Sequence, residues 1–221
     1  MAQDGSSPGS RSDTSRKPAA TGERPIVAFD FDGTLTVRDS FTAFLRWRAG
    51  PVRYALGLAK LAPAAFAYLF HKDRGRIKAA AAGEFLRGVP RDRLVADARR
   101  FAEQACDRLL RPDAVATWRR WREDGALLVI VTASPDLVVE PFARALEADR
   151  LIGTELAFDR ADRMVGAFVT PNCRGSEKVT RLRAAFGPDL RLKAAYGDTS
   201  GDREMLAIAE EPGFRVFTAR P

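Results

Sequence analysis

Three unbroken apolar runs constrain this chain more than anything else in it: Pro25 to Phe29, Ala126 to Val131 and Leu192 to Tyr196. None has a helical period, and they lead into Asp30, Thr132 and Gly197-Asp198. Short apolar runs that end in polar loops mark strands buried on both faces, as in a parallel sheet covered by helices. Helical stretches lie between the runs. Asp113 to Glu123 carries Trp118 and Trp121 on one face, and Pro135 to Ala148 has a proline near its first turn. Ser176 to Phe186 is stopped by Gly187-Pro188, and Ser200 to Ala209 follows the third run. Shorter strands are expected at Leu151-Ile152, Glu155 to Phe158 and Met164 to Val169, the last two as a hairpin around Arg160 to Arg163. A final strand is expected at Phe214 to Phe217. Strands alternating with helices predict an α/β fold, a Rossmann-like parallel sheet flanked by helices.

The stretch from Asp39 to about Arg111 breaks this alternation. It is rich in Ala, Leu and Arg, poor in strand formers, and reads as helices broken near Gly50-Pro51, Asp73 to Gly75 and Gly88-Val89-Pro90. Asp39 is placed to cap its first helix, and Asp92 lies near the start of its last. Within it, Tyr54 to Phe70 is mostly apolar but is interrupted by Lys60 and Pro63. A spanning helix wants about 20 apolar residues without a central charge, so the segment reads as a buried helix, with an in-plane membrane-touching helix as the alternative. The expected organisation is a disordered leader over 1–24, a catalytic core over 25–36 and 112–221, and an all-helical insertion over 37–111. The leader lacks large apolar residues and a secretory h-region, and Asp4, Asp13 and Glu23 argue against a transit peptide. Two cysteines, Cys106 and Cys173, cannot build a disulfide framework and suit a reducing, cytoplasmic setting. Cys173 reads as structural. A single histidine, His71, excludes histidine triads and zinc clusters and reads as a surface residue.

The chemistry-bearing residues sit where the runs end. Asp30-Phe31-Asp32-Gly33-Thr34-Leu35 follows the first run. Two carboxylates at the C-terminal end of a strand meet the usual ligand crevice of such a sheet. Asp30 is a candidate nucleophile, since carboxylates form aspartyl-phosphates, and Asp32 a candidate acid/base. Gly33 lets the backbone approach a phosphate. Thr132-Ala133-Ser134-Pro135 ends the second run, where Thr132 and Ser134 are either phosphate ligands or simple helix caps. Lys178, in Gly175-Ser176-Glu177-Lys178, offers a cation for a phosphoryl group. Asp198 and Asp202, in Gly197-Asp198-Thr199-Ser200-Gly201-Asp202, offer hard oxygen ligands for Mg²⁺ or support for its shell.

In this order the motifs resemble the haloacid dehalogenase superfamily of Mg²⁺-dependent phosphatases, from Phe29 to Phe217. The resemblance implies that Asp30 is nucleophile and metal ligand, and that Asp32 is acid/base with its main-chain carbonyl on Mg²⁺. It implies that Thr132 and Lys178 hold the phosphate, Asp198 ligates the metal and Asp202 completes the acidic site. An insertion after the first motif resembles subfamily IB, whose helical cap the phosphoserine phosphatases share. The chain departs from those enzymes, which carry Ser where Gly33 stands and a Ser-Gly-Gly second motif. The stretch Asp-Gly-Thr-Leu-Thr, then Asp39-Ser40-Phe41, a long apolar-basic helix and Asn172-Cys173-x-Gly175-x-x-Lys178 looks closer to the CicA-like, phosphatidylglycerophosphatase C-type branch. The implied function is Mg²⁺-dependent phosphomonoester hydrolysis through an aspartyl-phosphate, on a phospholipid headgroup phosphate such as phosphatidylglycerophosphate. The alternatives are a phosphoserine phosphatase-like or other small-metabolite phosphatase, or a phosphotransferase.

Charge sharpens the choice of partner. The chain has 36 Lys and Arg against 29 Asp and Glu, net +7. Thr36 to Pro112 holds 16 basic and 7 acidic residues, a net +9, so the remainder is slightly acidic. A basic balance favours anionic partners. Zinc spacing, basic-zipper heptads and aromatic-basic RNA signatures are lacking, which argues against nucleic acid. The expected partner is a phosphorylated small-molecule or lipid substrate, with peripheral contact between the basic insertion and an anionic membrane on its inner face.

Overall fold

A computed structural model of the chain describes residues 24–63, 66 and 74–221. The expected leader (but for Arg24), His71, Asp73, and the part of Tyr54 to Phe70 beyond Pro63 (but for Phe66) lie outside the described residues. In chain order the elements are β1 (Ile26–Phe29), α1 (Ser40–Lys60), α2 (Arg74–Leu86), α3 (Arg91–Leu109), α4 (Pro112–Glu123), β2 (Leu127–Pro135) and α5 (Asp136–Ala145). There follow β3 (Arg150–Thr154), β4 (Leu156–Phe158), β5 (Met164–Phe168), α6 (Ser176–Phe186), β6 (Leu192–Gly197), α7 (Arg203–Ala207) and β7 (Ala209–Phe214).

Five parallel strands form one sheet in the order β3-β2-β1-β6-β7. The three apolar runs are its three central strands, with Phe29 opposite Ile130 on one side and Tyr196 on the other. Alternate residues of a strand point to opposite faces, and both faces are buried here. Val27 and Phe29 join Leu128, Ile130, Trp118 and Phe142 in one cluster, while Ala28 joins Val129, Val131, Leu182 and Met205 in another. Strand β1 is central, with its neighbours leading off in opposite directions. Its C-terminal end therefore opens into the crevice where sheets of this kind take ligands.

Among the described residues, three helices, α1 to α3, follow the turn after β1. The chain leaves and re-enters the core side by side: the Val37 amide donates to Leu109 O at 2.8 Å and the Arg111 amide to Leu35 O at 2.8 Å. The helices share the core of the sheet. Phe44 of α1 packs on Phe101 of α3, Phe101 on Phe142 of α5, and Phe142 on Phe31, with ring centroids 5.5–5.9 Å apart. Asp39 caps α1 as expected, accepting from the Thr42 amide at 2.7 Å. The break expected at Gly50-Pro51 is a kink inside α1. Gly50 takes φ 72°, ψ 167°, and Pro51 restarts the helix where a missing N–H costs nothing. Before the kink, Phe41, Phe44 and Leu45 are buried. After it, Val52, Leu56 and Leu58 are exposed. No helix among the described residues is long and apolar enough to cross a membrane.

Strands β4 and β5 pair antiparallel as the expected hairpin, apart from the main sheet. It lies against α2 so closely that a Cβ on Gly166 would meet Gly83 Cα at 2.9 Å.

Three expectations need correction. The final strand is β7, Ala209–Phe214, and not Phe214 to Phe217. It is an edge strand, and an edge accepts the exposed Glu210, Glu211 and Pro212 because one side needs no partner. Phe217 instead packs its ring on Phe29 and Tyr196. The helix expected over Ser200 to Ala209 is a 3₁₀ turn, Ser200–Asp202, followed by the short α7, because Thr199 and Asp202 form a capping box that tightens the first turn. The second strand also runs past Val131 to Pro135, so α5 starts one residue later than expected, at Asp136.

Candidate active site

Asp30 follows the last residue of β1, held by its amide donating to Tyr196 O at 2.9 Å. The chain then turns sharply over Phe31–Leu35. Gly33 makes that turn at φ 89°, and any Cβ there would overlap the Asp198 carboxylate. The turn points the carboxylates of Asp30 and Asp32 into different surroundings.

Asp30 faces Lys178. Lys178 comes from the first turn of α6 and is 1% exposed. Its ammonium donates to Asp30 Oδ1 at 2.6 Å, Asp202 Oδ1 at 2.7 Å and Val131 O at 2.6 Å, which uses all three protons. Asp202 is tied further: its Oδ2 accepts from the Thr199 amide at 2.9 Å and the Thr199 hydroxyl at 2.8 Å. Thr34 Oγ1 lies between two carboxylates, 3.3 Å from Asp30 Oδ2 and 3.4 Å from Asp198 Oδ1.

Asp32 faces the helices. Its Oδ1 accepts from the Ser40 amide at the start of α1 at 2.7 Å, and its Oδ2 from the Ser134 hydroxyl. Ser134 in turn lies 3.3 Å from Lys78 Nζ of α2, and Lys78 pairs with Asp39 at 3.4 Å. Two elements of the helical insertion therefore reach the second carboxylate.

Burial dominates the acid strengths. It pushes Asp30 up to about 7, against the pull of Lys178. Burial also raises Asp32, with Asp39 adding to the effect. Asp198 is raised by burial and then by the Asp202 charge. Burial pushes on Asp202 too, but the Lys178 ammonium outweighs it and holds this carboxyl below its ordinary value. Burial lowers the Lys178 ammonium, but the charges of Asp30 and Asp202 more than reverse that, so it stays protonated.

A cavity of about 360 Å³ joins these groups. Of the residues singled out from sequence, Asp30, Asp32, Gly33, Lys178, Asp198 and Asp202 line it. Thr132 and Ser134 stand behind the wall. Thr132 is fully buried and its Oγ1 accepts from the Ser134 amide at 3.0 Å, while Ser134 serves Asp32. Cys173 is buried, its thiol pushed up to about 11 by burial, which suits the structural role expected of it.

Carboxylate oxygens of Asp30, Asp198 and Asp202 lie within 4.8 Å of one another. An all-oxygen, anionic donor set suits a hard divalent cation such as Mg²⁺. The crowding that raises Asp198 is what such a cation would relieve. The donors are unequal: both Asp202 oxygens already accept hydrogen bonds, whereas Asp30 Oδ2 and Asp198 share only Thr34. The Asp32 carboxylate points away from this group.

Four basic residues of the cavity wall were not singled out as site residues from sequence: Lys78, Arg38, Arg111 and Arg174. Arg111 Nε donates to Gly33 O at 3.2 Å, and Arg174 reaches Thr199 and Ser200 at 3.2 and 2.9 Å. Arg174 occupies the unspecified position of Asn172-Cys173-x-Gly175. Lys78 and Arg38 carry no sequence signal that separates them from the other basic residues of the insertion.

The chain matches the model of the haloacid dehalogenase-like hydrolase family over residues 27–207. It is 60% identical over 201 residues to Protein CicA of Caulobacter vibrioides, covering 90% of each chain. Its fold is similar to that of a Bordetella pertussis protein of unknown function, with TM-score 0.68, 23% identity and 86% and 88% of the two chains covered. It is also similar to a phospho-aspartyl intermediate analogue of phosphoserine phosphatase, with TM-score 0.56, 18% identity and 86% of each chain covered. With the strand order, the acidic crevice and the match over most of its length, this chain belongs to the haloacid dehalogenase-like hydrolase family.

Proposed function

We propose that the chain is a Mg²⁺-dependent phosphomonoester hydrolase working through an aspartyl-phosphate on Asp30. The observation that carries this reading is the pairing of buried Asp30 with Lys178, while Asp32 is held separately by the Ser40 amide and the Ser134 hydroxyl. Two carboxylates in different environments suit two roles, nucleophile and acid/base. Asp30 Oδ2 attacks phosphorus, and the bond to the leaving oxygen breaks as Asp32 gives that oxygen its proton. Water then attacks phosphorus as Asp32 takes a proton from it, the bond from Asp30 Oδ2 to phosphorus breaks, and phosphate leaves. The raised affinity of Asp32 for its proton keeps the carboxyl protonated ahead of the first transfer and suits it to take up a proton in the second, and the Ser40 amide and Ser134 hydroxyl orient it. Lys178 neutralises the nucleophile and the incoming phosphoryl oxygens. Mg²⁺, held by Asp30 and Asp198 with Asp202 behind them, would supply further charge neutralisation.

A phosphorylated phospholipid headgroup such as phosphatidylglycerophosphate is the proposed substrate class, with phosphoserine-like metabolites, or phosphoryl transfer, as the alternative. The +9 insertion beside the cavity and the exposed Val52, Leu56 and Leu58 of α1 support the lipid reading and peripheral contact with an anionic membrane on its cytoplasmic side. Asp30→Asn should abolish hydrolysis of every phosphomonoester while the protein still unfolds in one cooperative thermal transition. EDTA should silence the wild type, and Mg²⁺ should restore it. Near-wild-type turnover by Asp30→Asn would remove the nucleophile, and metal-independent turnover would remove the metal role.

A further inference from the structure

Lys78 of α2 lines the catalytic cavity with Asp32, and the reaction proposed above gives it no task. Its ammonium has three acceptors: Ser134 Oγ at 3.3 Å, Asp39 Oδ2 at 3.4 Å and Ala133 O at 3.5 Å. The first two close a ring through the acid/base. Asp39 caps α1, and the next amide, that of Ser40, donates to Asp32 Oδ1 at 2.7 Å. The Ser134 hydroxyl donates to Asp32 Oδ2, and Lys78 ties Ser134 back to Asp39.

This ring has a direction. An ammonium has only protons to give, whereas a hydroxyl has one proton and two lone pairs. With Lys78 donating to its oxygen, Ser134 turns its own proton to the Asp32 carboxylate. A protonated carboxyl has a single proton of its own to donate. Asp32 cannot pass that proton to the groups that hold it. The Ser40 amide is a donor, and Ser134 cannot accept along the line on which it donates. The Ser40 hydroxyl makes no hydrogen bond among the described residues. The Asp32 proton is left facing the cavity, where a leaving oxygen would arrive. Without Lys78 the Ser134 hydroxyl is free to rotate, give its proton to water and accept the Asp32 proton instead, which turns the acid away from the leaving group.

We infer that Lys78 is a positioning residue of the acid step: it fixes the Ser134 hydroxyl as a donor, so that the proton of Asp32 goes only to the leaving oxygen. The inference rests on the hydrolase reading above, with Asp32 as the acid, and gives the helical insertion a part in it. In that step Asp30 Oδ2 bonds to phosphorus, the bond from phosphorus to the leaving oxygen breaks, and that oxygen takes the proton and leaves Asp32 as a carboxylate. Lys78 and Ser134 exchange no proton. They act through Asp32 by denying it an acceptor on the protein side.

Two esters under matched Mg²⁺ test it. p-Nitrophenyl phosphate expels a phenolate that needs no proton, whereas sn-glycerol 3-phosphate must expel an alkoxide and depends on the acid. The ratio of their kcat/KM values, alkyl over aryl, cancels any general effect of the Lys78 charge on phosphate binding. Lys78→Met should lower this ratio about tenfold. Lys78→Gln should do the same, because its amide oxygen accepts the Ser134 proton and frees the hydroxyl to turn. Lys78→Arg, again a pure donor, should bring the ratio to within about threefold of wild type. On a Ser134→Ala background, Lys78→Met should change the ratio by less than about twofold, because no hydroxyl is left to direct. If Lys78→Met does not fold, the Gln and Arg variants decide alone. A wild-type ratio in Lys78→Met, a Gln variant equal to the Arg variant, or an undiminished drop on the Ser134→Ala background would each overturn the inference. So would a wild type that cleaves the aryl ester and not the alkyl one. Asp32→Asn tests the reading beneath: it should lower the ratio at least as far as Lys78→Met, and an unchanged ratio would remove the acid role itself. A folded wild type that cleaves neither ester would overturn the hydrolase reading and the inference together.

Discussion

Replacing Lys178 by Met removes the one cation buried between Asp30 and Asp202. Methionine fills a similar volume, so the loss is one of charge and hydrogen bonds. The substitution strips three bonds from carboxylates that are 6% and 1% exposed and from the Val131 carbonyl. Breaking a buried pair by removing one partner costs about 3–5 kcal/mol, because an uncompensated charge stays behind. With a urea slope of about 2 kcal/mol per molar, the midpoint should fall by ~1.5–2.5 M. The cost has a defined pH window. Asp202 is held below its ordinary value of 3.8, so its contribution is present above that and lost as pH falls through its lower folded value. Lys178 is raised above 10.5, so its contribution is present below that and lost as pH rises through its higher folded value. Asp30 runs the other way: raised to about 7, it costs stability progressively as pH climbs from 3.8 to 7. The gap between wild type and Lys178→Met should therefore be widest at neutral to mildly alkaline pH and shrink in acid, where the stranded carboxylates take up protons. Adding Asp30→Asn and Asp202→Asn should recover most of the loss, since no buried charge is left. A midpoint shift below about 0.5 M at pH 7.5, or a triple variant no more stable than the single, would refute the account of this trio.

Other outcomes follow from the same contacts. Gly33→Ala should cost about 2 kcal/mol in denaturation and most of the activity, because the left-handed backbone is strained by about 1–2 kcal/mol and the new methyl group meets Asp198. Ser134→Ala should leave stability within about 1 kcal/mol but lower kcat about tenfold, and should move the alkaline limb of the kcat profile upward because a bond that favours ionised Asp32 is gone. An unmoved alkaline limb would separate Asp32 from the proton transfer. Trp118→Ala should cost about 3–5 kcal/mol, since its side chain is 1% exposed, packs on Phe29 at 5.0 Å and donates to Leu146 O.

The strands of the core were legible because each is apolar on both faces and ends in a polar turn, a pattern that tertiary structure had no reason to override. Edge strand β7 was not, since Glu210-Glu211-Pro212 reads as a loop unless one knows that only one side pairs. The acids and Lys178 were legible because they stand at strand ends or helix starts. Lys78 and Arg38 were not, because a cation on a helix or in a loop of the insertion looks solvated in sequence, and only the packing of α1, α2 and β2 shows that these two line the cavity. The reach of Ser134 to Asp32 was hidden for a related reason: its hydroxyl caps no helix, because β2 continues through it.

The Gly50 kink divides α1 into two halves that the solvent should treat differently. Amides from Phe41 to Ala49 sit on a helix stitched into the aromatic chain Phe44, Phe101, Phe142 and Phe31, so opening them means opening the sheet's own core. Their deuterium uptake should track global unfolding and its denaturant dependence. From Pro51 onward the helix leaves that aromatic chain and is held instead on α2, by buried Gly57, by Tyr54 against Phe85 and by the exposed pairs of Arg53 and Lys60 with Glu84. Its amides should exchange through small local openings that denaturant barely affects. The two halves of one kinked helix would thus report two free energies of opening, with the step between them at a single glycine.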